Sequence, residues 1–225
     1  MSKPDDITSS QNLKPVTVPA GECRVETAVL KSRFIAIAAP AFSVDEARHV
    51  IQGIRAEFPD ASHHVPAYLI GHGATTIEHC NDDGEPAGTA GKPILSVIKG
   101  SGIGNIVIVV VRYFGGTKLG TGGLVKAYQQ AAKAVLADLP LAIQVKACEM
   151  VCNVGYSDYQ KVRRLIEGFN GVIIEEIFTD QVSLHIQIPI TEQEEIEIEQ
   201  ALQNLTHGTT SITVVKPEVF VLRPA

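Results

Sequence analysis

Apolar and polar residues alternate at Val25, Thr27 and Val29 and again at Phe34, Ile35 and Ile37, with Lys31 and Ser32 between, which predicts a β-hairpin. Residues 1–20 before it are polar and without periodicity and predict a flexible tail. Ser43 to Glu46 has the spacing of a capping box. Val44, Ala47, Ile51, Ile54 and Phe58 then recur on one helical face until Pro59 stops them. Short strands follow around Tyr68 to Ile70 and Thr75 to His79. A loop rich in Gly, Asp and Pro runs from Asn81 to Lys92, and a short helix extends from Pro93 through Lys99 to Gly100 and Gly102. Ile106 to Val111 is an unbroken, mainly β-branched apolar run, the pattern of a central strand covered on both faces. It continues through Arg112, Tyr113 and Phe114 into a glycine-rich loop. A helix follows with Leu124, Tyr128, Ala131 and Val135 facing inward and Lys126 and Lys133 sharing a polar face.

Leu139-Pro140-Leu141 breaks that helix and marks a linker. Beyond it the order is β, α, β, β, α, β, with strands near Lys146 to Asn153, Gly171 to Phe178, Val182 to Ile190 and Thr210 to Val215. Each intervening helix opens on capping-box spacing, Ser157 to Gln160 and Thr191 to Glu194. This is the split βαβ, ferredoxin-like order. The fold class is therefore α+β in two domains, residues 21–139 and residues 145–225, a division that 225 residues also favour.

An apolar fraction of 45% with 20% charged residues is that of a globular chain. No apolar run approaches the roughly 20 residues of a membrane span, and Asp5 and Asp6 stand where a signal peptide would be basic and then apolar. A cytoplasmic protein with no membrane partner is expected. Its four cysteines, Cys23, Cys80, Cys148 and Cys152, have no Cys-x-x-Cys spacing and are read as buried thiols.

The net charge of −6 is unevenly placed. From Lys146 onward six basic residues face twelve acidic ones, so the second half carries the whole excess. Pro86 to Ala137, by contrast, holds Lys92, Lys99, Arg112, Lys118, Lys126 and Lys133 and no acidic residue. A local basic face binds phosphates whatever the overall sum.

Two segments could carry chemistry. In the first, Asp82, Asp83 and Glu85 precede Lys92, and clustered carboxylates suit a hard cation or acid/base work as well as the capping of their own turn. In the second, Gly115, Gly116, Gly120, Thr121, Gly122 and Gly123 lie between a strand and a helix. Free amides there attract anions, and with Arg112, Lys118 and Lys126 nearby the ligand is a phosphate or an RNA backbone. If the carboxylates lie beside Arg112 or Lys118 they pair with those cations and lock the loop, and this arrangement is the expected one. No Walker pattern, Gly-x-Ser-x-Gly elbow or His-Glu-x-x-His motif occurs, nothing nominates a nucleophile, and no cofactor or metal is expected. His63 and His64, being adjacent, point to opposite faces of any strand that holds them.

At these segments the chain resembles the IMPACT and YigZ family. The matching residues are Asp82 to Pro93, then Val110-Val111-Arg112-Tyr113-Phe114-Gly115-Gly116, then Leu119 to Leu124 with Ala127-Tyr128. The likeness covers about Glu22 to Leu139, and the remainder is similar to the bacterial YigZ C-terminal domain. The resemblance implies a first domain like the fourth domain of elongation factor G and a second like its fifth, a pairing suited to RNA or the ribosome. In eukaryotic relatives it implies restraint of the starvation response in translation through the activator of the general-control kinase. A non-enzymatic, translation-associated protein that binds RNA or ribosomal surface is the leading expectation. The alternatives are a metal-dependent hydrolase or phosphoryl-transfer enzyme built on the acidic and glycine-rich loops, and a protein-interaction module whose acidic second domain docks a basic partner.

Overall fold

The structure is a computed structural model that describes residues 16–72, 75–189 and 192–224. The chain divides after Leu141 into two compact units.

In the first unit, strands β2 (Cys23–Val29), β3 (Ser32–Pro40), β4 (His63–His72), β5 (Thr75–Cys80) and β6 (Ile106–Tyr113) form one sheet in the order β2-β3-β6-β4-β5. All its neighbouring pairs are antiparallel. β6 is central, and its alternation explains the layers. Val107, Val109 and Val111 face helix α1 (Val44–Glu57). Ile106, Ile108 and Val110 face α2 (Gly91–Ser101) and α3 (Gly120–Asp138). Ser43 caps α1 by accepting from the Glu46 amide at 3.1 Å. β4 is longer than its expected core of Tyr68 to Ile70 because pairing along β6 extends it back to His63.

Residues 1–15 of the expected tail lie outside the described residues. Val16–Pro19 form strand β1, contrary to the expected disorder, with Val18 fully buried and the Thr17 carbonyl accepting from the Gly104 amide at 3.0 Å. Four residues are too few to show a period, which is why the sequence pattern hid them.

In the second unit, β7 (Leu141–Val154), β8 (Val172–Phe178), β9 (Val182–Pro189) and β10 (Ser211–Pro224) pair in the antiparallel order β10-β7-β9-β8. Helices α4 (Tyr159–Gly168) and α5 (Glu192–Leu205) supply Val162, Ile166, Ile198 and Leu202 to its core. That is the ferredoxin-like arrangement. Cys148 and Cys152 share the inward face of β7, and burial pushes the Cys152 thiol up to about 11. The Ser157 to Gln160 capping box does not form: Asp158 is the N-cap of α4, and the Ser157 hydroxyl donates to the Asp158 carboxylate instead. The Thr191 to Glu194 box begins outside the described residues. No helix among the described residues is long and apolar enough to cross a membrane.

Candidate nucleic-acid interface

β5 runs antiparallel to β4, which is antiparallel to β6, so β5 and β6 point the same way. The loop after Cys80 therefore heads for the edge of the sheet where Arg112 ends β6, and α2 carries the chain back to the start of that strand. The Leu30-Lys31 turn between β2 and β3 and the first residue of β4 lie at this edge too, because Phe34 and His63 both stand opposite Arg112.

Strand parity puts Arg112 on the same face as Ile108 and Val110, under α3. Its side chain is buried, and its Nη1 donates to Glu85 Oε1 at 2.6 Å. Tyr128, from the third turn of α3, donates its hydroxyl to the same oxygen at 2.6 Å. Arg112 Nη2 and the Gly115 amide both donate to Ser32 Oγ at 3.3 Å. Arg112 Nε has no hydrogen-bond partner among the described residues, while the guanidinium carbon stands 5.4 Å from the ring centres of both Phe34 and Phe114. Burial first, and then the bond to Glu85, push the Tyr128 phenol far above its usual value. His63 Nδ1 donates to the Asp83 carbonyl at 2.8 Å, which sets its tautomer, and its Nε2 faces Glu85 Oε1 at 3.8 Å.

The expectation that Arg112 contacts a ligand phosphate is corrected: it spends its charge on Glu85 inside the domain. Glu85 thus stands beside Arg112, while Asp82 and Asp83 take other partners. Asp83 crosses to the α1 face, where it accepts from Arg55 at 2.5 Å and from the His64 amide at 2.6 Å. Asp82 accepts from the amides of Gly88, Ala90 and Gly91 at 2.7, 3.1 and 2.8 Å, capping α2. His63 and His64 divide between the two faces in the same way. The three carboxylates diverge, and among the described residues no three His, Cys, Asp or Glu side chains converge to hold a metal ion. The loop is locked rather than open for chelation.

Burial works to raise the Asp82 carboxyl, but the three amides and Lys92 together hold it below the usual carboxylate value. For Asp83 burial is likewise outweighed, by Arg55 and the His64 amide. A depressed folded-state value contributes stability that is present above about pH 4 and lost as pH falls through it. The first unit's urea midpoint, followed by circular dichroism, is therefore expected to be flat from neutrality to about pH 5 and to fall below about pH 4. Asp82→Asn is expected to cost about 1 to 2 kcal/mol at neutral pH and to flatten the acid slope. An unchanged acid slope would show that Asp82 is not a cap.

Outside this network the edge is basic and open. Lys31, Gly116, Lys118, Gly120, Thr121, Gly122 and Lys126 are exposed, with Gly115 and Gly123 half-buried. Lys92 is exposed at the start of α2, near the Asp82 carboxylate. Lys99 pairs with Glu78 at 2.7 Å, whereas Lys118, Lys126 and Lys133 enter no ion pair among the described residues. The first turn of α3 has Leu119 as its N-cap, whose side chain cannot accept from the free amides, and no side chain among the described residues caps them. Sequence reasoning missed Ser32, His63, Arg55 and the Tyr128 hydroxyl as loop partners, and Phe114 and Lys31 as members of the rim. The Arg112-Tyr113-Phe114 run ending an apolar strand was the available signal for Phe114.

The Impact N-terminal domain family matches residues 30–136, and a domain of unknown function (DUF1949) matches residues 152–209. The IMPACT family member YigZ of Escherichia coli is 35% identical over 200 residues, covering 88% of this chain and 97% of its own. The IMPACT family member YvyE of Bacillus subtilis is 32% identical over 187 residues, covering 83% and 85%. A solved structure described as that of a hypothetical protein aligns at TM-score 0.62 with 34% identity, over 90% of this chain and 98% of that one.

Proposed function

Because this chain belongs to the IMPACT family, we propose that it is a non-enzymatic, translation-associated cytoplasmic protein that binds RNA or ribosomal surface through the exposed end of the glycine-rich loop and the first turns of α3. The observation that carries this reading is the contrast between two sets of cations. Arg112 is neutralised inside the domain, while Lys118, Lys126 and Lys133 stand exposed on one loop and helix with no ion pair among the described residues. Cations left without carboxylates beside uncapped helix amides suit a polyanion. The locked acidic loop acts as scaffold, since Glu85 and Asp82 hold the strand end and the α2 terminus that frame the site.

Binding of a fluorescent RNA hairpin with an unpaired loop, followed by anisotropy, tests it. With three to four phosphates neutralised, affinity is expected to fall about 20- to 150-fold between about 50 and about 200 mM salt. Lys118→Ala should weaken binding and reduce the salt slope by about one unit. Undetectable binding at low salt, or affinity indifferent to salt, sinks the proposal.

A further inference from the structure

Two side chains on this edge are exposed where apolar residues usually hide. Phe114 is 49% exposed and Leu30 is 62% exposed. Both are held rather than loose. The Phe114 amide donates to Ser62 Oγ at 3.1 Å, and its ring rests over the buried Arg112 guanidinium, so one ring face has a fixed backing. Leu30 and Lys31 form the two-residue turn between paired Val29 and Ser32, with φ of 44° and 68°. Such turns favour Asn-Gly, and a branched residue with positive φ is strained. The turn nonetheless keeps Leu30 outward. The backbone of Lys31 touches Gly115, which places the turn beside the loop that begins with Phe114.

We infer that the Phe114 ring, with the Leu30-Lys31 turn beside the loop it begins and Lys118 four residues further along that loop, is a stacking platform for an unpaired nucleobase, so that the RNA bound at this edge is single-stranded there. The inference rests on the RNA reading above and narrows it. Every base offers a π-face, and a rigid aromatic beside cations that track the backbone is the recurring means of holding single strands without reading sequence. A duplex keeps its bases stacked on one another and presents only phosphates to the same lysines.

The chain has no tryptophan, so Phe114→Trp installs a single reporter on the platform. Titration with a single-stranded RNA of mixed sequence is expected to quench its fluorescence, and titration with the blunt duplex of that sequence is expected not to. By anisotropy, Phe114→Ala and Phe114→Leu should each lose about 5- to 150-fold in single-strand affinity. Duplex affinity and the salt slope should stay unchanged. Phe114→Leu keeps apolar bulk without a ring face, so it separates stacking from packing if Phe114→Ala lowers the melting temperature. If both variants bind the single strand as the parent does while Lys118→Ala weakens it, the platform is overturned and the phosphate reading stands. Equal affinity of the parent for duplex and single strand overturns it as well. If the parent binds neither RNA, both readings fall.

Discussion

Glu85→Ala is expected to destabilise the first unit by about 3 to 5 kcal/mol, because it leaves a buried guanidinium without a counter-charge. Arg112 is only 4% exposed and Tyr128 is fully buried, and both donate to one Glu85 oxygen, so water cannot replace it without opening the core. Against an ordinary domain stability of about 5 to 15 kcal/mol, that loss brings the unit near its unfolding threshold. Adding Arg112→Met removes the orphaned charge and should recover a large part of the loss, less the share of the Tyr128 hydroxyl. Urea unfolding of the parent, both single variants and the double variant gives the coupling directly. Arg24 and Glu57 supply the comparison: they too are an ion pair, but both are exposed to screening solvent, and Glu57→Ala should leave the urea midpoint nearly unmoved. A Glu85→Ala effect as small as that of Glu57→Ala would mean the network does not hold the edge together.

Gly115→Ala is the second large effect. A methyl group there would overlap the carbonyl of Lys31, which is backbone in a paired hairpin and cannot rotate away. Loop and hairpin must separate, at an expected cost of about 3 kcal/mol or more. The neighbouring Gly116→Ala meets nothing within 4 Å and suffers only from its φ of 82°, so about 1 to 2 kcal/mol is expected. The order of the two unfolding midpoints decides between close approach and backbone freedom as the reason for the glycines. Equal effects, or a milder Gly115→Ala, would show that the hairpin yields.

The ferredoxin-like order of the second unit and the central place of β6 were legible because both rest on local alternation, which strand pairing preserves. The extent of β10 was not. Lys216 and Pro217 break its pattern, and the structure tolerates them through two register shifts between Val214 and Val219. The burial of Arg112 was legible in principle, since it shares parity with Ile108 and Val110, but the acid-free run around it pointed to an open basic face instead. That a carboxylate of the acidic loop would pair with Arg112 was expected on grounds of charge, but which of the three does so was not legible. That Glu85 arrives at the end of β6, and not at its start, depends on β5 running alongside β6 in the same direction, which only the paired sheet reveals. Likewise Tyr128 shows its inward position through helical spacing and conceals what its hydroxyl meets.

The bonds that complete this edge join residues far apart in the chain: 27 positions separate Glu85 from Arg112, 43 separate Glu85 from Tyr128, and 80 separate Ser32 from Arg112. Contacts of such long sequence separation slow a domain's folding, since the intervening loops must close before the contacts reward them. A chain emerging during synthesis has both hairpin and acidic loop well before it has the helix that carries Tyr128. The edge therefore cannot be assembled until residues up to the third turn of α3 are available, so its network is completed only when nearly the whole of this unit has been made.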